Sequence, residues 1–285
     1  VIGNAQLVGM DYPGIQTGPN VVMSRNSSYF TYATITSVYV YEQKTLNLIN
    51  IITNGKDSIA TISLATMFPQ YIAISYWTKR VDIIDIIENQ LVSQITMSDP
   101  VINFGWINND NQIICFTKYF SHYFIYDVSS GKKVKTNYGN FDSIRTMAIS
   151  GSENPIYIGG NNVGTLTRIF DGKSKSIDFK GRGRVVSVQI DPNCKSQCLI
   201  VWNQSWGIFD IATDINLYHQ VTDLSYSISS ATWSTLIPGQ FFTGDESTGN
   251  VRIWNASSIS PLEVLNIYPS GITSLLDLKE NRLLI

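Results

Sequence analysis

An apolar pair followed by Glu, Asp or Asn returns six times along the chain, at Glu42 ("VYE"), Asp85 ("IID"), Asp127 ("IYD"), Asp171 ("IFD"), Asp210 ("IFD") and Asn255 ("IWN"). Successive anchors lie 39 to 45 residues apart. Ahead of each sits a short apolar run: "YFTYAT", "YIAIS", "QIICF", "PIYIGG", "CLIVW" and "GQFFTG". A further run precedes that one, as in "IATISLA", "VINFGW" and "VVSVQID". A polar turn follows each anchor and leads into a fourth run, such as "LNLINI", "LVSQITM" or "LEVLNI". A unit of four short strands cannot bury its apolar faces alone. Stacking such units in a closed ring buries them and protects the sheet edges.

The expected fold is therefore all-β: one seven-bladed β-propeller, residues 1–285, with no helix longer than two turns. The seventh unit opens at "GITSLLDL" and stops at "NRLLI", which leaves its blade incomplete. Residues 5–10, "AQLVGM", form an extra strand with no blade of their own, and the expectation is that they close the ring as the outer strand of the seventh. "RVDIIDIIENQLVSQI" has apolar positions that would also line a helix, but its place in the period assigns it as strand, turn, strand, with "ENQ" as the turn.

Composition bounds the function. Charged residues make up only 15% and the formal net charge is −2, which disfavours a surface tuned to nucleic acid. Three cysteines do not build a disulfide framework, and their sparse, odd count fits a reducing, cytoplasmic setting. No apolar run is long enough to span a membrane as a helix.

Catalytic parts are scarce. The two histidines, His122 in "FSHYF" and His219 in "LYHQV", have no activating Ser or Cys motif beside them. Cys194 and Cys198 share the turn "DPNCKSQC", without the second ligand pair that structural zinc requires. Asp82 and Asp85 fall on opposite faces of one strand and do not converge. "GDESTGN" lacks calcium-loop spacing, and "IGGNNVG" lacks the residues of a phosphate cradle. The reading is of a protein without catalytic residues, metal or cofactor.

"TGDESTGNVRIWN" resembles a WD40 repeat, and the other units resemble degenerate copies of it. The stretches "PGQFFTGDESTGNVRIWNASSISPLEVL", "VVSVQIDPNCKSQCLIVW" and "YFTYATITSVYVYEQ" fall in the same order as segments of the first propeller of the WD repeat-containing protein 17 family. The resemblance covers most of the chain and is most specific at residues 238–262. It implies an N-terminal propeller of a longer protein, with two propellers and a helical tail, that acts as a scaffold. The Gly-His dipeptide of WD40 blades is missing and only one anchor keeps Trp, so the Asp-His-Ser/Thr-Trp hydrogen-bond chain of such blades does not carry over.

In such a ring the turns after each second strand and the links between blades share one face. On it the sequence places Trp77 and Arg80, Tyr119 and Phe120, Lys180, Arg182 and Arg184, and Trp206. Aromatic and Arg residues together are the usual anchors of binding surfaces. The expected function is a non-catalytic platform for peptide or protein partners, without nucleic acid. The alternative is a phosphoinositide or membrane-surface reader, in peripheral contact, that uses the basic segment 173–184, "KSKSIDFKGRGR".

Overall fold

The computed structural model describes residues 23–53, 55–117, 122–138, 144–151, 153–179, 181–267, 269–278 and 282–285. No helix occurs among them. They form six four-stranded antiparallel sheets, each with its strands side by side in chain order. The six blades span residues 23–53, 59–96, 101–138, 146–178, 185–221 and 228–266. A two-stranded sheet, Leu276–Leu278 with Arg282–Leu284, follows.

Six blades are present, then, and not the seven expected. The last unit contributes two paired strands among the described residues, where a blade needs four. Its strand Leu276–Leu278 lies between the first strands of blades 6 and 1, so the ring closes through it. Residues 5–10, expected to complete that unit, lie outside the described residues.

Each blade presents apolar side chains on both faces because each is sandwiched between two others. Leu199, Val201, Trp206 and Ile208 of blade 5 pack on Ile228, Trp233, Phe241 and Trp254 of blade 6. The opposite face of blade 5, through Cys198, Ile200, Trp202 and Phe209, packs on Ile158 and Leu166 of blade 4. The remaining interfaces follow the same scheme, including the two that hold the C-terminal sheet against blades 6 and 1. The strands second in each blade are nearly all buried, as in Gln112–Thr117, whereas outer strands such as Lys173–Asp178 face water.

The repeated anchor has a local cause. Asp85 Oδ1 accepts the backbone N–H groups of Ile87 and Glu88 at 2.9 and 3.0 Å. Asp127 Oδ1 accepts that of Ser130, Asp210 Oδ1 that of Ala212 and Asn255 Oδ1 that of Ser257. A short carboxylate or amide at the end of the third strand thus caps the turn into the fourth. The serine bonds also hold the Asp127 carboxyl below the usual range. The ambiguous segment resolves as expected into strands Arg80–Asp85 and Gln90–Thr96, with Asn89 at φ 53° in the turn.

Candidate functional site

Backbone bonds stitch the links and the turns after each second strand onto one face of the ring. The N–H of Ile59 donates to Ile35 O at 2.7 Å, Val185 to Asn161 O at 3.0 Å, Ile228 to Asn203 O at 2.7 Å and Ile272 to Asp245 O at 2.8 Å. In each case the start of one unit docks on the turn of the blade before it. The loop face is consequently built into the fold, and its side chains are held on a rigid frame.

The residues expected on this face divide into three groups. Tyr119, Phe120 and Lys180 lie outside the described residues. Trp206 is fully buried and corrects the expectation of a surface anchor. It is the second residue of strand Ser205–Asp210 rather than part of the turn before it, and its ring meets Phe241 at 4.9 Å and Trp254 at 5.4 Å between centroids. The alternation of "SWGIFD", Trp206 and Ile208 toward blade 6 and Phe209 toward blade 4, was the signal for this placement.

Trp77, Arg80, Arg182 and Arg184 are half-buried at the loop face. Arg80 lines a cleft of ≈ 330 Å³ between blades 1 and 2. Its guanidinium pairs with Asp57 at 3.1 Å and with Asp82 at 3.2 Å, and lies 4.5 Å from the centre of the Tyr76 ring. Burial pushes the Asp82 carboxyl up, against the bond from Gln94 Nε2 at 2.9 Å and the charge of Arg80. Arg80 thus ties the link ahead of blade 2 to the strands of that blade.

The link carrying Arg182 and Arg184 turns at Gly181 (φ 85°) and Gly183 (φ 74°). These two glycines send the arginines apart. Arg182 lies 5.0 Å from the Phe179 ring centre and 4.9 Å from that of Trp202, and it donates to Gln220 Oε1 on the outer strand of blade 5. Arg184 reaches the other way, to Glu246 Oε1 at 3.1 Å on the turn of blade 6. Gly164 fixes the approach of blade 4: a Cβ there would meet Gly183 O at 2.7 Å.

The basic segment 173–184 does not form one patch. Lys173 pairs with Phe170 at the far end of its strand from Asp178, so Lys173 and Arg184 lie toward opposite faces of the ring. Lys175 is in an ion pair with Asp214. Sequence reasoning missed Arg145, which stands immediately ahead of the first strand of blade 4 and donates from Nη1 to Asn162 Oδ1 at 3.0 Å. Burial first, then the like charge of Arg184, lowers the affinity of Arg145 for its proton.

The remaining candidates are structural. His219 Nε2 is 3.0 Å from Ser258 O and its ring packs on Trp206. Cys198 is buried among apolar groups, which pushes its thiol far above the ordinary range, and Cys194 contacts Ser196 Oγ. No group of three or more His, Cys, Asp or Glu placed to hold a metal occurs among the described residues. One bond that the sequence was not expected to keep is present: Trp254 Nε1 donates to Thr243 Oγ1 at 3.0 Å, both buried.

No model of a known protein family matches the chain. Among solved structures, a chain from the crystal structure of a mitotic checkpoint complex superposes with a TM-score of 0.80 at 14% identity, over 93% of this chain and 83% of that one. With its four-stranded blades, capped turns and closed ring, the chain has the fold of a β-propeller.

Proposed function

We propose that this propeller is a non-catalytic interaction scaffold that takes peptide or protein partners on its loop face. The observation that carries the reading is the stitching of links and turns from successive blades into one rigid face, which carries Trp77, Arg145, Arg182 and Arg184 from three separate stretches of chain. A structural neighbour drawn from a multiprotein complex supports protein partners. The stretch 238–262 supports kinship with the WD repeat-containing protein 17 family, and the sparse, odd cysteine count supports a cytoplasmic location.

The test is affinity capture with the folded chain carrying Trp77→Ala and Arg184→Glu, beside a chain carrying Tyr218→Ala on the outer strand of blade 5, where Tyr218 is 73% exposed. Loss of captured proteins in the first and retention in the second is the expected result. Retention in the first with loss in the second moves the site to the rim.

A further inference from the structure

The residues immediately ahead of the first strands of blades 2 to 6 are Ser58, Pro100, Arg145, Arg184 and Ser227. The two arginines occupy adjacent blades, where the links enter the ring near its axis. Both stand against the turn after the second strand of blade 4: the Arg145 N–H donates to Gly160 O at 2.8 Å, and the N–H of Val185, next to Arg184, donates to Asn161 O at 3.0 Å. The charge of Arg184 also weakens proton binding at Arg145. Arg145 is met by a neutral amide, Asn162. Arg184 is met by one carboxylate, Glu246, through Nη2, and that carboxylate is 46% exposed. The Nε–H of Arg184 is buried and has no acceptor among the described residues.

Two guanidiniums against one exposed carboxylate, which meets Arg184 alone, leave a net positive site with N–H donors already fixed in place. A buried N–H without an acceptor is destabilising, and a bound oxyanion would offset that cost. Arginine forks match phosphoryl oxygens in geometry as well as charge. A phosphoryl group carries about −1.5 to −2 at neutral pH and so balances the pair, whereas one carboxylate leaves a positive charge over.

We propose that Arg145 and Arg184, with Asn162 beside them, form a subsite for the phosphoryl group of a phosphorylated peptide. This rests on the loop face being the partner-binding face. A peptide fits better than a membrane because both arginines are half-buried at the turns rather than projecting. The lysines that would add membrane attraction are directed elsewhere, Lys173 toward the other face and Lys175 to Asp214.

The experiment uses the whole chain immobilised at physiological ionic strength. The probes are a degenerate peptide library with a fixed central phosphoserine, the same library with serine, and vesicles carrying a phosphorylated phosphoinositide. The phosphoserine library should be retained about tenfold more than the serine library, as expected for two charge-assisted forks. Arg145→Gln with Arg184→Gln should abolish the difference, Arg184→Lys should reduce it, and Lys173→Gln with Lys175→Gln should leave it intact. Melting temperatures confirm that each variant is folded. Equal retention of the two libraries overturns the subsite, as does a preference that survives the double glutamine variant. Vesicle binding without discrimination between the peptide libraries assigns the arginines to lipid and also overturns it. Partner capture that depends on Trp77 but not on Arg145 would preserve the scaffold reading while sinking the phosphoryl subsite.

Discussion

Arg184 Nη2 donates to Glu246 Oε1 at 3.1 Å, joining the link ahead of blade 5 to the turn of blade 6 across 62 positions of sequence. The pair is partly open to water, so it contributes little to stability, about 0–1 kcal/mol. Its larger effect is on the charge available to a ligand. Glu246→Ala is expected to change the unfolding free energy by less than about 1 kcal/mol in urea titration while strengthening phosphopeptide retention. Weaker retention in this variant would mean that Glu246 orients Arg184 for binding rather than competing for it.

Trp206 is a core residue, and its substitution separates packing from recognition. Trp206→Ala is expected to cost about 3–5 kcal/mol, through the cavity left against Phe241 and Trp254. Its Nε1 is buried with no acceptor among the described residues, so Trp206→Phe loses area but leaves no polar group behind and should cost far less. Chemical denaturation of both variants decides this. A fully stable Trp206→Ala protein would return the residue to the surface.

The bond between Trp254 and Thr243 ties the third strand of blade 6 to its second. Thr243→Val keeps the shape and removes the acceptor, leaving the indole N–H unsatisfied in the core. The expected loss is about 1–3 kcal/mol. Indole hydrogen exchange at Trp254 should accelerate in the same variant.

Asp277 caps the turn of blade 6, accepting the Thr235 N–H at 2.8 Å and its hydroxyl at 2.6 Å. Burial raises its carboxyl above the ordinary range, outweighing the Thr235 bonds and the charge of Arg25. A carboxyl whose folded value lies above its unfolded one binds its proton more tightly when folded. Its contribution to stability is then fullest below the unfolded value of about 3.9 and declines as pH rises through the folded value. The stability of the wild type relative to Asp277→Asn should therefore fall as the pH is raised from acid to neutral. A relative stability that grows with pH would contradict the assignment.

The repeat was legible because one residue per period has a fixed local task. Asp85, Asp127, Asp210 and Asn255 each cap a turn, so the spacing of the anchors is the spacing of the blades. Strand against helix in "RVDIIDIIENQL" was also settled by period. The blade count was harder to read, since the unit opening at "GITSLLDL" repeats the start of a blade but contributes only two paired strands among the described residues. The site was the least legible. Trp206 looks like a turn residue in "NQSWG", and its place in the alternation of the strand that begins at Ser205 sets its ring between blades. Arg182 and Arg184 read as a pair in "KGRGR", yet the left-handed glycines part them. Arg145, the true neighbour of Arg184, lies in a different blade.

The central claim is that partners contact the face formed by links and second-strand turns. Site-specific photo-crosslinking tests it most directly, with a benzophenone side chain placed in turn at Asn162 on that face, at Lys132 in the turn after a third strand, and at Tyr218 on the rim. The account predicts partner adducts from position 162 and none above background from 132 or 218. Adducts confined to 132 or 218, with none from 162, would contradict it.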